Sequence, residues 1–307
     1  MKKSREEFLA AMKSQQFGVE LEFTGISMDL VNTILADYFN DCELFDHQGR
    51  DWDVKYDGSI FAYKKDSTGQ YVETHDRNYK VELVTPILEY SDIPMLQEIV
   101  RRIRLAGGVA DKKYRTGLHI HISDEGQNAD TLRNLIRIMS SKQYLLERAL
   151  DIPESRLSQY CRYVEKTLEK RSRKKFYSMQ KLKEAWNNSS DRYHMLNLSS
   201  MFAGKGIELR LFNGTLHAGR VKAYIQFSLA LCQSAKDLTR AASVIPRNDE
   251  NDKYTMRNWL CRLNLIGSEF KTCRLFMTNN LSGDSAFSDP ENPKRESKRK
   301  RKKKTLD

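Results

Sequence analysis

The sequence predicts an α+β protein: one sheet with helices on its apolar face and ionisable side chains on the other. Three observations predict it. Stretches with period-two alternation are separated by longer stretches with helical spacing. Four of the alternating stretches set apolar residues against ionisable ones. A chain of 307 residues, 39% hydrophobic, is long enough to bury a sizeable core.

In chain order, "MKKSREEFLAAMKSQQ" reads as a short helix. Its basic start is not followed by a clean apolar stretch and a cleavage site, so it does not read as a signal peptide. "FGVELEF", residues 17–23, alternates as a strand. "SMDLVNTILADYFN" follows as a helix, with Leu30, Ile34, Leu35 and Tyr38 at helical spacing. "WDVKYDGSI" is strand, turn and new strand, with Asp57-Gly58 as the turn. "YKVELVTPILEY" is a strand stopped by Pro86. "IPMLQEIVRRIRLAGG" is a helix opened by Pro94 and closed by Gly107-Gly108. "GLHIHIS" is a strand, and "ADTLRNLIRIMSSKQYLLERAL" a helix with Leu132, Leu135, Ile136 and Met139 in one stripe. Residues 154–186 are Lys/Arg-rich and read as helical, with one basic helix over 162–183. "YHMLNLSS" and "KGIELRLF" are strands, and a long helix follows with Val221, Tyr224, Ile225, Ser228 and Cys232 on one side. Residues 254–277 form one more helix with a short extension.

The organisation expected is a single catalytic domain over 1–285, with a basic helical insertion at about 151–187 and a disordered tail at 286–307. The net charge is +11, and "KRESKRKRKKK", residues 294–304, carries eight of those charges. That tail is either a solubilising terminus, a nuclear address or a contact for nucleic acid or an acidic partner. No run of eighteen apolar residues exists, so no membrane span is expected. Five scattered cysteines, none in a C-x-x-C pair, suit free thiols in a cytoplasmic protein.

The chemistry lies in the charged sides of the strands. Glu20 and Glu22 stand together on the first, with no Lys or Arg to neutralise them. Glu82 stands in "KVELVTP", His119 and His121 in "GLHIHIS", and Glu208 and Arg210 in "GIELRLF". If these strands share one sheet, its open face is a floor of carboxylates and imidazoles. Like charges there are mildly unfavourable unless a cation sits between them. Carboxylates without cysteine favour a hard divalent ion such as Mg²⁺, which keeps positions for water and substrate phosphate. Arg210 beside them suits a phosphate, as a planar charged fork. Zinc held by His119 and His121 is the rival. Each residue also has a plainer reading: solvated strand carboxylates, satisfied histidines, a structural Asp57-Gly58 turn and an ion-paired Arg192. His75, His194 and His217 read as structural.

Taken in order, "FGVELEF", "DGS", "VELVTP", "GLHIHIS" and "GIELRLFNGTL" resemble the amidoligase family, relatives of the glutamine synthetase and glutamate–cysteine ligase catalytic fold. The resemblance covers roughly residues 17–235. It implies a curved, mainly antiparallel sheet cradling ATP and Mg²⁺ or Mn²⁺, and ATP-dependent joining of a carboxylate to an amine. Under it, Glu20, His119 and Glu208 hold the ion that bridges ATP phosphates, and Glu22 and Glu82 hold a second ion nearer the substrate carboxylate. His121 and Arg210 contact ATP phosphates, Arg192 the phosphoryl group, and Asp57 binds or deprotonates the amine. "VELVTP" offers one carboxylate only, which leaves the second ligand set incomplete. The basic segment at 154–186 has no counterpart. The substrates implied are amino acids, or peptide or protein side chains. The competing reading is a non-catalytic scaffold that binds nucleic acid or an acidic partner through its basic segments.

Overall fold

A computed structural model describes residues 3–239 and 251–286. The chain begins with helix α1 (Arg5–Lys13), strand β1 (Phe17–Phe23) and helix α2 (Met28–Phe39). Strands β2 (Asp53–Tyr56), β3 (Tyr63–Lys65), β4 (Tyr71–Glu73) and β5 (Val81–Val84) follow. Next come α3 (Ile93–Leu105), β6 (Gly117–Ile122) and the long α4 (Ala129–Leu150). Three short helices, α5 (Glu154–Gln159), α6 (Lys166–Arg171) and α7 (Met179–Asn187), lead to β7 (Leu196–Asn197), α8 (Ser199–Phe202) and β8 (Ile207–Asn213). Helix α9 (Ala218–Asp237) and, later, α10 (Asp252–Arg262) and α11 (Lys271–Thr278) complete the described elements.

Six strands form one sheet in the order β2-β5-β1-β6-β8-β7. Every neighbouring pair in it is antiparallel. All four strands singled out for their charged faces lie in this sheet, with β1 between β5 and β6. Their apolar sides are in register: Leu21 faces both Leu83 and Leu118, and Ile120 faces Val19 and Leu209. That side is covered by helices, with α9 packed on β6 and α4 on β8. Helix α9 is also flanked by α1, α3, α4 and α11, so it is buried nearly all round. This explains why its sequence shows more apolar residues than one stripe needs. A single apolar core runs from Phe8 to Leu281.

The structure departs from the sequence reading at several elements. In α2 the buried stripe is Val31, Leu35 and Phe39, and Leu30 is exposed. The basic segment is not one helix over 162–183. It is α6 and α7 separated by a loop, because Ser178 caps α7 by accepting from the Lys181 N–H. Leu168, Phe176, Leu182 and Trp186 of this segment join the core, so its basic residues form a solvated exterior on packed elements. "YHMLNLSS" contributes only a two-residue strand before turning into α8. Residues 254–277 hold two helices, not one. Most of the predicted tail, 287–307, lies outside the described residues.

Candidate active site

The period-two alternation delivers its charged residues to one face, and strand register sets who meets whom. On β1 and β6, Glu20 stands opposite His119, and Gly18 opposite His121. On the other side Glu22 stands opposite Glu82, which in turn faces Lys55. His121 faces Glu208, and Glu208 faces Asn197. Between Leu118 and Ile120 the β6–β8 pairing slips by one residue, so that Arg210 and Leu211 together oppose His119. Such a bulge re-aims side chains beside a site.

Three groups result whose ligand atoms lie within 4.8 Å of one another: Glu20 with His121 and Glu208, Glu20 with His119 and Glu82, and Glu22 with Asp57 and Glu82. The third supplies the carboxylate that "VELVTP" lacks, since the Asp57 turn folds over the end of β5, with the Asp57 N–H donating to the Lys80 carbonyl at 3.1 Å. One Asp57 oxygen accepts from the Ser59 N–H at 2.7 Å.

The hydrogen bonds fix the floor. Glu20 lies 2.9 Å from His119 Nδ1 and 3.0 Å from His121 Nε2. Burial pushes the Glu20 carboxyl up, but the two imidazoles outweigh it and hold it well below the usual range. His121 Nδ1 sits 3.1 Å from the Lys205 carbonyl, to which it can only donate. Its Nε2, facing Glu20, then either carries a second proton or offers its lone pair to a cation, the arrangement of a metal-ligating histidine. Glu22 is 5% exposed, not on an open surface as its alternation predicts, and it accepts from the Gly117 N–H at 2.6 Å. Glu82 is pushed up to about 8, by burial first and then by the charges of Glu20 and Glu22. Lys55 Nζ, 3.9 Å from Glu82, pulls it back down but is outweighed by the burial and the two carboxylates.

Arg210 is buried on the same face. One of its nitrogens is engaged by Glu208, its Nε lies 3.4 Å from the Tyr160 carbonyl, and its guanidinium stands 5.9 Å from the Tyr193 ring centre. Arg192 is not brought against the carboxylates. It is exposed, with its guanidinium 5.2 Å from the Tyr193 ring centre. His194 Nδ1 lies 2.6 Å from the Tyr163 carbonyl, and His217 caps α9 by accepting from the Arg220 N–H, so both lie away from the carboxylates.

Sequence reasoning missed Lys55, Asn197 and Lys205. Asn197 donates to Glu208 at 2.5 Å, and its place in "MLNL" is the one signal that could have found it. A groove of about 350 Å³ opens beside Glu20 and His121, lined by Phe17, Gly18, Pro86, Ile87 and Lys205.

Among solved structures, the crystal structure of a bifunctional glutathione synthetase from Pasteurella multocida is similar over 98% of this chain, with a TM-score of 0.34 and 13% identity. The chain spans about half, 51%, of that longer protein. No curated protein matches the sequence. A family described as "putative amidoligase enzyme" matches residues 13–232, which include every strand of the sheet and all the carboxylates and imidazoles of the floor. The chain belongs to this amidoligase family.

Proposed function

We propose that this protein is an ATP- and Mg²⁺-dependent ligase that joins a carboxylate to an amine through an acyl phosphate, on a sheet of the glutamine synthetase and glutamate–cysteine ligase kind. The observation that carries the reading is the convergence of Glu20, Glu22, Asp57, Glu82 and Glu208 with His119 and His121 on one sheet face, in groups within 4.8 Å. The donor set fits hard divalent ions. It is mostly carboxylate oxygen, and Glu82, pushed up by burial first and then by the charges of Glu20 and Glu22, stands where a cation would favour the carboxylate. Mn²⁺ would take the same ligands, whereas two imidazoles among this many carboxylates suit zinc less well.

Glu20, His121 and Glu208 would hold one ion, and Glu22, Asp57 and Glu82 the second, with His119 beside Glu20 and Glu82 between them. The groove beside Glu20 is roomy enough for a nucleoside, and Lys205 lines it. Mg²⁺–ATP, when bound, supplies the phosphoryl group that makes the carboxylate an electrophile, together with charge neutralisation. The chain's own residues do the rest. Asp57, with one oxygen fixed by the Ser59 N–H and a place beside the second ion, would bind and orient the attacking amine. Arg210, anchored by Glu208, presents its remaining donors to the negative charge that grows on the leaving phosphate. The reading takes residues 1–285 as one catalytic domain, with 151–187 as an insertion packed on the common core.

The test is Mg²⁺-dependent ATP turnover with a panel of amino acids and peptides. Glu20→Gln should abolish turnover and keep the fold. Glu22→Ala should abolish turnover and also lower the melting temperature, because the Gly117 N–H loses its buried acceptor, at a cost of about 1–3 kcal/mol. Normal turnover in both variants would refute the metal floor. The scaffold alternative requires none of these groups.

A further inference from the structure

A second polar cavity, of about 230 Å³, lies where the ends of β8, α4 and α11 meet the start of α9. The ligase reading makes no use of it. Its walls include Asp111, Asp151, Asn213, Arg220, Tyr224 and Phe276.

Two polar groups reach this cavity without a partner. Tyr224, on the second turn of α9, is 7% exposed. Its ring stacks on Phe212, with ring centres 4.5 Å apart and planes 17° apart. Among the described residues its hydroxyl makes no hydrogen bond, although a buried tyrosine normally finds one. Burial pushes its phenol up, and the nearby Arg220 guanidinium draws it partly back. Asn213 is the second group. Its Nδ2 donates to the carbonyls of Leu150 and Asp151, at 2.9 and 3.0 Å. Those bonds fix the amide, and Oδ1 is left buried without a donor. A buried polar group without a partner costs stability, so two of them on one cavity point to a ligand that supplies both a donor and an acceptor.

The charges of the walls fall into two halves. Helix α9 starts with no acidic residue in its first turn and with Arg220 there, the guanidinium 5.4 Å from the Phe276 ring centre. The positive end of the helix dipole and this cation favour an anion. The last turn of α4 forms another wall, with Asp151 as its cap, and Asp111 joins it from the loop before β6. Lys112 pairs with Asp151, whereas Asp111 has no ion pair among the described residues. The negative end of α4 and Asp111 favour a cation. Leu150 and the rings of Tyr224 and Phe276 supply the apolar part of the lining.

We propose that this cavity binds a free α-amino acid as its zwitterion, at a site separate from the floor. Arg220 and the Tyr224 hydroxyl hold the carboxylate, and Asn213 Oδ1 and Asp111 hold the ammonium. The proposal goes beyond the ligase reading and does not depend on it.

The test is calorimetric titration of the full chain in EDTA, without Mg²⁺ or nucleotide, with each of the common amino acids as the probe. At least one should bind, and about 10-fold more tightly than both its deaminated acid and its decarboxylated amine. Tyr224→Phe should weaken that binding about 10-fold. It should leave the melting temperature of the free protein unchanged or raised, because the hydroxyl has no bond to lose. Arg220→Gln should remove the preference over the amine, since the carboxylate loses its cation. Glu20→Gln, on the floor, should leave the affinity as in wild type. The proposal is overturned if no amino acid binds, if the acid or the amine alone binds as well, or if Tyr224→Phe keeps the wild-type affinity. Loss of binding in Glu20→Gln would move the amino acid to the floor and overturn it too.

Discussion

Arg210 stands where two roles meet. It neutralises Glu208 inside the sheet face, and in the proposed mechanism its remaining donors meet the charge of the leaving phosphate. Arg210→Lys keeps the charge and loses the planar fork. Turnover should fall at least about 10-fold, the effect of roughly 1.4 kcal/mol of transition-state stabilisation, with a smaller change in nucleotide affinity. Arg210→Ala should in addition lower the melting temperature, because buried Glu208 would lose its guanidinium counter-charge and keep Asn197 as its hydrogen-bond donor. A silent Arg210→Lys would remove the arginine from the mechanism. Glu82 sets a pH dependence. In the folded protein it keeps its proton to about pH 8, whereas an unfolded glutamate releases it near 4.5. The folded state therefore binds more protons between these values, and stability from this group falls as pH rises through the window. His121, held above its ordinary 6.5, acts in the same direction. In metal-free buffer the melting temperature of wild type, compared with Glu82→Gln, should fall between about pH 5 and 8. Mg²⁺ should reverse the trend, since a bound cation favours the carboxylate. A wild-type profile parallel to that of Glu82→Gln would disprove the assignment.

At the scale of elements, the site depends on how β6 and β8 meet. The bulge opposite His119 gives Arg210 its place, and the turn into β8 is closed by Gly206 with φ +74°. A Cβ there would stand 2.6 Å from the Ile122 carbonyl, in a backbone conformation that side chains rarely adopt. Gly206→Ala should destabilise the fold by about 1–3 kcal/mol. It should also weaken nucleotide binding, since Gly206 lines the groove beside Glu20. Denaturant unfolding and nucleotide titration of the variant check both effects. An unchanged unfolding midpoint would show that the β6–β8 junction yields to the extra carbon. The insertion illustrates the opposite case. Its Lys/Arg pattern is legible as a solvated face, but its packed residues, Leu168, Phe176, Leu182 and Trp186, are spaced by loops that periodicity does not anticipate.

Across the whole molecule, helices lie behind the sheet and the ionisable floor lies in front, with α5 from the insertion at the edge of the floor. The apolar core ends at Leu281 among the described residues. None of the described helices is long and apolar enough to cross a membrane. Removing residues 287–307 should leave the melting temperature and ATP turnover unchanged, because that segment offers few apolar side chains to bury. It should weaken any binding to nucleic acid, most at low salt, where released counterions matter. A large loss of stability on truncation would show that the segment docks on the body.

The sequence by itself determined the strands, their two faces and the residues of the floor. Alternation at period two is a local property, and Glu20, Glu22, Glu82, His119, His121 and Glu208 each declare their face without reference to any other strand. The family motifs are local in the same way. Pairing is not. Register brought Asp57 to Glu22 and Glu82 and set Asn197 against Glu208, and it turned Glu22 from a surface residue into a buried acceptor of the Gly117 N–H. The cavity at Tyr224 depends on α4, α9 and α11 meeting at the end of β8. Helical spacing places Tyr224 in the buried stripe of α9, but no periodicity records which buried groups lack a partner, because a partner would come from other elements.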